Sequence, residues 1–364
     1  MKSPRAVWVS TSTGTRGGVA TFVRTMQVTQ LWSDWNVEHI STHRNGSVAL
    51  RIAVWLRGSV AFGATLMRRR PDVVHLHTAS YGSFVRKALL AGWAHAMGVP
   101  VVLHVHGAEF HRFYTRSPLP LRRIIRSTLS AADAVVALGD SWARRLAEIA
   151  PDARILVVPN AVRPHSPRSH NTMGGPVEVL FLGEIGDRKG AFCLLDAWAH
   201  LRHEGAVTGL AHLTLAGDGA VAAARRRVAD LGVGDSVSVP GWVDPAEVPG
   251  LLRRSHVLVL ASRNEGQPMS ILEAMSHGLC VVAGSVGGIP DLVDDASGIL
   301  VPPDDVTALT DALRLVVCDH ELRGRLGAGA WERVATRFDV DVVSRRFDAL
   351  YREVSTWKSP APSA

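Results

Sequence analysis

Short runs rich in β-branched residues recur along this chain, each separated from the next by a stretch long enough for a helix, and that alternation permits few folds. Strand, helix and strand repeated in order build a parallel sheet covered by helices. The first set reads AVWVS (6–10), VEHI (37–40), DVVHLH (72–77), VVLHVHG (101–107), AVVAL (134–138) and ILVVP (155–159). RPHSPRSHNTMGGP (163–176) is rich in Pro, Ser, Gly and His without apolar period, and reads as a linker. A second set follows: VEVLFLG (177–183), HLTLAG (212–217), VSVPGWV (237–243), HVLVLAS (256–262), LCVVAG (279–284) and GILVPP (298–303). The pattern predicts two doubly wound α/β domains of similar size, 1–165 and 177–337, joined through 166–176. Helices are expected at 306–317 and 319–337, and a terminal amphipathic helix within 338–357 before a disordered-looking SPAPSA tail. Ligands of open parallel sheets bind beyond the carboxyl ends of the strands, so paired domains would face one another across a cleft that holds the site.

At 364 residues the chain is long enough for two cores. With 47% hydrophobic and 20% charged residues it has an ordinary globular balance, and no uninterrupted apolar run approaches the ~20 residues of a membrane span. The apolar piece at the N-terminus stops after Val9, too short for a secretory signal, so a cytoplasmic location without bilayer crossing is expected. Cys193, Cys280 and Cys318 are odd in number and widely spaced in apolar contexts, which predicts buried reduced thiols rather than disulfides or a zinc site. A formal charge of +7 and a pI near 9.9 point to an anionic partner: nucleic acid, acidic lipid or a phosphorylated small molecule.

The loops at strand ends carry the chemistry. After the first strand, Gly14, Gly17 and Gly18 open a helix, a turn that lets backbone N–H groups approach an anion. Its spacing is neither GxGxxG nor a P-loop, which excludes a nicotinamide dehydrogenase site of the usual kind. HVHGAEF ends the fourth strand, with His104 read as structural and His106 as facing the cleft beside Gly107. In GEIGDRKGAF, Arg188 and Lys189 stand at the expected start of a helix, where two cations add to the helix dipole as an anion clamp. In ASRNEGQPMSILEAMSHG, Glu265 lies in a loop, Pro268 can occupy the first turn of a helix and Glu273 falls about a turn and a half inside it. Gly266 frees the backbone to bend, and the segment Gly266, Gln267, Pro268, Met269 and Ser270 would bind the donor, its unpaired N–H groups from about Gln267 to Ser270 cradling phosphates. Glu273 could then accept both hydroxyls of a ribose diol, and Glu265 those of a second sugar.

EGQPMSILE, with Glu265 and Glu273, resembles the EX7E motif of the retaining GT-B glycosyltransferases, particularly glycosyltransferase family 4 (glycosyl transferases group 1). GEIGDRKG resembles that family's GRxxxxKG loop, GGVATFV its first glycine loop, HVHG its fourth-strand end and VVPNAV its PNGVD segment, so the similarity runs over nearly the whole chain. The resemblance implies a GT-B fold, with an acceptor-side first domain, a nucleotide-sugar-binding second domain and the terminal helix crossing back to the first. It implies that Glu273 binds the nucleotide ribose, Glu265 the donor sugar, Arg188 and Lys189 the leaving diphosphate with Gly17 and Gly18 nearby, and that His106 contacts the sugar near its reacting carbon. Trp242 lies where the family places the edge of the nucleobase, a surface or buried Trp being the alternative. The chain departs from the family at Glu184, where an Arg is usual, at Ala161 and Arg163 in the PNGVD segment, and at Asp291 in place of Glu.

The activity so implied is retaining transfer of a hexose from a nucleotide-diphospho-sugar, of GDP-mannose or UDP-glucose type, to a glycan, polyprenyl-linked or glycolipid acceptor in envelope synthesis. Fixed dipoles and cations would stabilise charge growing on the phosphate, with no metal and no other cofactor required. Asp339 and Asp341, the nearest thing to a metal-binding DxD pair, sit where carboxylates cap a helix. Arg116, Arg122, Arg123 and Arg126, interspersed with Leu119, Leu121, Ile124 and Ile125, form either a basic amphipathic helix for anionic lipid or a packed helix with a solvated face. The competing readings are a non-hydrolysing nucleotide-sugar epimerase, which shares the architecture, and a basic nucleic-acid-binding protein. The second would need aromatic platforms or a base-reading helix, which the sequence lacks.

Overall fold

All twelve β-branched runs form strands in the computed structural model, which describes residues 3–166, 175–205 and 209–357. Two units result, Met1–Ala161 with Val340–Ala364, and Val162–Asp339. Most of the linker stretch, residues 167–174, and the SPAPSA tail lie outside the described residues. Val162 and His165 belong to the second unit, where Val162 N donates to Phe338 O at 3.0 Å and His165 N to Ser276 O at 2.9 Å.

Unit 1 runs β1 (Ala6–Ser10), α1 (Gly18–Met26), α2 (Gln30–Asp34), β2 (Glu38–Ser41), α3 (Val48–Arg69), β3 (Val73–Thr78), α4 (Gly82–Ala96), β4 (Val101–Val105), α5 (Phe110–Arg116), α6 (Leu119–Ala131), β5 (Ala134–Ala137), α7 (Asp140–Ile149) and β6 (Ile155–Val157). Its sheet is parallel, in the order β2-β1-β3-β4-β5-β6. Residues of β1, β3, β4 and β5 are buried throughout, as a parallel sheet covered on both faces requires, which is why these runs are continuously apolar rather than alternating. Trp8, Phe22, Phe62 and Phe84 are fully buried, and each such side chain contributes about 1.5–3 kcal/mol by leaving water.

Unit 2 runs β7 (Val177–Leu182), a 3-10 turn (Asp187–Lys189), α8 (Ala191–His203), β8 (Ala211–Ala216), α9 (Val221–Asp230), β9 (Val237–Gly241), α10 (Val248–Arg254), β10 (Val257–Leu260), α11 (Met269–Ser276), β11 (Cys280–Gly284), α12 (Ile289–Leu292), β12 (Gly298–Val301), α13 (Val306–Cys318) and α14 (His320–Arg333). Its parallel sheet has the order β12-β11-β10-β7-β8-β9, so the chain reverses its direction of travel between β7 and β10. Loops following those two strands therefore flank an open crevice, the place where such sheets bind ligands. The chain then returns to unit 1 as α15 (Val340–Trp357), whose Phe347 and Tyr351 are fully buried and whose Asp348 Oδ1 accepts from Trp35 Nε1 at 2.8 Å.

Three expectations change, and one helix bears on a fourth. Arg188 and Lys189 stand in the 3-10 turn, ahead of α8, because Gly190 adopts φ 73° and interrupts the helix there. The basic stretch 111–130 is two helices, α5 and α6, broken where Ser117 and Pro118 are extended. Cys318 is exposed at the end of α13 and Cys193 half-buried, leaving Cys280 as the buried thiol, pushed up to about 12 by burial. Finally, α3 is long and apolar enough to cross a membrane by length and composition, although Phe62 and Leu66 on one side of it are buried in unit 1.

Candidate active site

The crevice in unit 2 is assembled by close backbone approach. Ile185 N donates to Asp218 O at 2.7 Å and Ala220 N to Ile185 O at 2.8 Å, tying the loop after β7 to the loop after β8. On its other side, a Cβ at Gly190 would lie 2.0 Å from Ala261 O, so only glycine allows the Arg188 to Gly190 turn to rest against the end of β10. Arg263 N then donates to Arg188 O at 2.9 Å. The loop after β11 supports Glu265 in the same manner: Gly288 N donates to Glu265 O at 3.2 Å, and a Cβ at Gly287 would come within 1.9 Å of that oxygen.

This framework buries Glu265, whose residue exposure is 6%, between two partners. Ser262 Oγ donates to its Oε1 at 2.9 Å, and the Lys189 ammonium pairs with the same oxygen. Arg188 is half exposed, with Nη1 3.9 Å from Glu265 Oε1 and Nη2 bonded to Glu184 Oε2 at 2.9 Å. The cluster is thus two cations facing two carboxylates, with no net charge from these four side chains.

Next to it begins α11. Pro268 is its N-cap and no side chain caps it, so the N–H groups of the first turn lack intrahelical acceptors and the positive end of the dipole is open. Gly266, Gln267, Pro268 and Met269 are buried, whereas Ser270 is half-buried at the helix start. Glu273 follows one turn in, half-buried, its backbone oxygen accepting from Ser276 Oγ at 2.7 Å and from His277 Nδ1 at 2.9 Å. Cations, open N–H groups and carboxylates within one crevice form a chemistry suited to a ligand with phosphates and vicinal hydroxyls.

The structure therefore puts Arg188, Lys189, Glu265, Gly266 to Ser270 and Glu273 on the segments that follow β7 and β10, and it joins Lys189 and Arg188 to Glu265. Trp242 is not on those loops; it is exposed just after β9, two strands from β7. Gly17, Gly18 and His106 belong to unit 1. Gly17 caps α1 at φ 125°, with open space where a Cβ would stand. His106 Nε2 is bonded to His77 Nδ1 at 3.0 Å, and burial lowers its pKa to about 3, so the ring is neutral at neutral pH. Asp339 directly precedes α15 and Asp341 is in its first turn.

Among the described residues one grouping has ligand spacing for a metal, the buried His75, His77 and His104 of unit 1. Its nitrogens are largely engaged: His75 Nδ1 with the Tyr351 hydroxyl, His75 Nε2 with His104 Nδ1 at 3.3 Å, and His77 Nδ1 with His106. Sequence reasoning missed Ser262 as the partner of Glu265. The signal was present, a hydroxyl three residues upstream of the carboxylate, but nothing in a linear reading says that the loop closes on itself. Gly190 and Gly287 were missed as well, since their necessity comes from the backbone of another strand.

The family model for glycosyl transferases group 1 matches residues 176–319, and that for glycosyltransferase family 4 matches residues 17–166. Among curated proteins, the chain is 25% identical over 332 residues to an alpha-D-kanosaminyltransferase of Streptomyces kanamyceticus, covering 83% of this chain and 84% of that protein. It is 30% identical over 320 residues to a D-inositol 3-phosphate glycosyltransferase of Xylanimonas cellulosilytica, covering 80% and 73%. Among solved structures, a sucrose-phosphate synthase from Thermosynechococcus elongatus superposes with a TM-score of 0.80 at 18% identity, over 97% of this chain and 100% of that one, a likeness of fold.

Proposed function

The chain belongs to glycosyltransferase family 4 (glycosyl transferases group 1), with the GT-B fold, and on that premise we propose that it moves a hexose from a nucleotide-diphospho-sugar to a glycan or lipid-linked acceptor with retention at the anomeric carbon. Glycosyl transfer is the family's activity, to which the proposal adds the donor, the stereochemistry and a role in envelope synthesis. The observation that carries it is the contact of Lys189 with Glu265 beside the uncapped start of α11.

In this reading the diphosphate lies on the N–H groups of Met269 and Ser270, Glu273 takes the ribose diol, and Glu265 accepts from hydroxyls of the transferred sugar. As the glycosidic bond to phosphate lengthens, negative charge accumulates on the departing oxygen and positive charge on the ring. Lys189 and the helix dipole stabilise the first, and the carboxylate of Glu265 the second. Because Glu265 holds Lys189 in place, removing either partner strands a buried charge, at a cost of about 3–5 kcal/mol. Neutral His106 is proposed to hydrogen-bond the donor sugar rather than to act as an acid. No metal or other cofactor is proposed. The comparisons favour neither the epimerase nor the nucleic-acid reading.

Calorimetric titration with GDP and with UDP, in the presence of chelator, tests this on the full chain and on Glu273→Ala. Binding of one nucleotide in the micromolar range, lost or weakened at least about tenfold by the substitution, supports the reading. Absence of binding by either nucleotide, or equal binding by the variant, overturns it.

A further inference from the structure

Two neighbouring helices of unit 1 present apolar side chains to solvent in regular stripes. On α3, Val48, Ile52, Leu56 and Val60 are exposed at four-residue spacing, with Met67 further along, and Val60 is 72% exposed. On α4, Val85, Leu89 and Trp93 repeat that spacing, as does Met97 at its end, and Leu89 is 63% exposed. Residues four apart lie along one side of a helix, so each set is a continuous stripe. Each helix is already packed through its other side, α3 by Phe62 and Leu66, α4 by Phe84 and Leu90. The two helices adjoin at Trp93, since the Phe62 and Trp93 rings are 6.0 Å apart and a Cβ at Gly63 would strike the Trp93 ring within 2.1 Å. Beside α4, α6 is joined by His95 Nε2 to Ala131 O at 2.7 Å and exposes Leu119 and Ile124. Most of the large apolar side chains exposed among the described residues are on these three helices.

Charge selects the occupant. No Asp or Glu occurs in α3, α4 or α6, while Arg57, Arg68, Arg123 and Arg126 are exposed on them and form no ion pair among the described residues. An apolar protein groove would fit the stripes alone. An apolar interior beneath an anionic layer fits the stripes together with the arginines of these acid-free helices, the one carboxylate bonded to α3 among the described residues being Glu38 of β2, which pairs with Arg69. We propose that unit 1 docks on an anionic lipid bilayer through the outer faces of α3 and α4, with the Val, Leu and Ile side chains at the boundary of headgroup and acyl chain and the arginines on headgroup phosphates. The helices lie on the surface and do not cross it, because the sides opposite the stripes are committed to the core of unit 1. This goes beyond the transfer reaction and does not depend on which donor unit 2 takes.

The test is sedimentation of the full chain with vesicles of phosphatidylcholine, and with vesicles of equimolar phosphatidylcholine and phosphatidylglycerol. The wild type is expected to sediment with the anionic vesicles, less with the neutral ones, and to be released progressively by salt. Val60→Glu combined with Leu89→Glu, both at exposed positions, should lower the partition roughly tenfold or more. Arg57→Ser with Arg123→Ser, which spares the stripes, should lower anionic binding several-fold, and Leu315→Glu, exposed on α13 of unit 2, should leave it unchanged. Wild-type protein that stays in solution with both vesicles overturns the proposal, as does a glutamate pair that binds like wild type. So does light scattering that shows a dimer dissociated by the glutamate pair without vesicle binding, which would assign the stripes to a second copy. Nucleotide titration of the same variants separates this outcome from failure of the unit 2 site.

Discussion

Arg188 donates from Nη2 to Glu184 Oε2 at 2.9 Å, so a guanidinium placed at the mouth of the crevice is paired with a carboxylate from its own loop. Glu184 occupies the position where the family usually carries Arg, and the pairing shows what the change does: it offsets a cation that would otherwise be directed only at a ligand. Both side chains are about half exposed, so the pair is worth at most about 1 kcal/mol. Glu184→Gln should therefore tighten nucleoside diphosphate binding about two- to fivefold at low salt, with the gain shrinking as salt screens it. Calorimetry at two ionic strengths reads this directly, and an unchanged Kd would show that Arg188 does not reach the phosphates.

Gly190 combines φ 73° with a Cβ position 2.0 Å from Ala261 O, so alanine there faces both backbone strain and a clash with another strand end. Relief requires the Arg188 to Lys189 turn to move off β10, carrying Lys189 away from Glu265. Gly190→Ala should lower the thermal midpoint by roughly 5 °C or more and weaken nucleotide binding in parallel. Gly324→Ala inside α14, whose Cβ would meet nothing within 4 Å, is the control and should leave binding unchanged and the midpoint equal or slightly raised, alanine being the better helix former by about 0.5–1 kcal/mol. Equal midpoints for the two variants would refute the packing argument.

Why the strands were legible and the surfaces were not follows from what a sequence encodes. A parallel strand buried on both faces must be continuously apolar, so AVWVS or HVLVLAS declares itself without knowledge of its neighbours. The EGQPMSILE segment was legible because Pro268 and the following apolar residues mark a helix start, and the carboxylates then take their places by spacing alone. By contrast, the apolar period of α3 predicts a helix but cannot say that Val60 faces solvent while Phe62 faces the core, because both residues are apolar. Nor does DRKGAF reveal that its two cations precede the helix, since that depends on the φ of Gly190 and on the carbonyl of Ala261 against which it rests.

The histidines His75 and His77 on β3, His104 on β4 and His106 just past it set an acid limit on unit 1. Burial first, and neighbouring rings second, hold His75, His77 and His104 well below 6.5, and burial lowers His106 to about 3. The unfolded chain takes up these protons near pH 6.5 and the folded one does not, so stability is fully present above that pH and falls as pH drops toward 3. Each ring contributes a slope of up to about 1.4 kcal/mol per pH unit. Hydrogen exchange, corrected for intrinsic rates, should show β3 and β4 losing protection between pH 7 and 5.5 more steeply than β10 and β11, and His77→Phe should flatten that loss. Equal slopes in the two units would exclude the cluster as the cause.

Lys87 gives a dependence of the same sign in a more alkaline window. It is 1% exposed, its Nζ donates to Thr42 Oγ1 at 2.8 Å, and burial together with the Arg86 charge lowers its pKa from 10.5 to about 7. Below pH 7 both states carry the charge and the folded one bears the whole cost of burying it beside a hydroxyl. Between 7 and 10.5 the folded state has released a proton that the unfolded chain still holds, so this residue's penalty shrinks with rising pH and vanishes above 10.5. Lys87→Met keeps the length and apolar stem of the side chain while removing the charge, and should stabilise the protein by on the order of 1–4 kcal/mol at pH 6 and distinctly less at pH 9. Urea unfolding of wild type and variant at the two pH values reads the effect, together with the relief of His39 and His43, whose protonation the Lys87 charge opposes. A variant less stable than wild type at pH 6 would mean that the ammonium holds its surroundings together through more than the Thr42 bond.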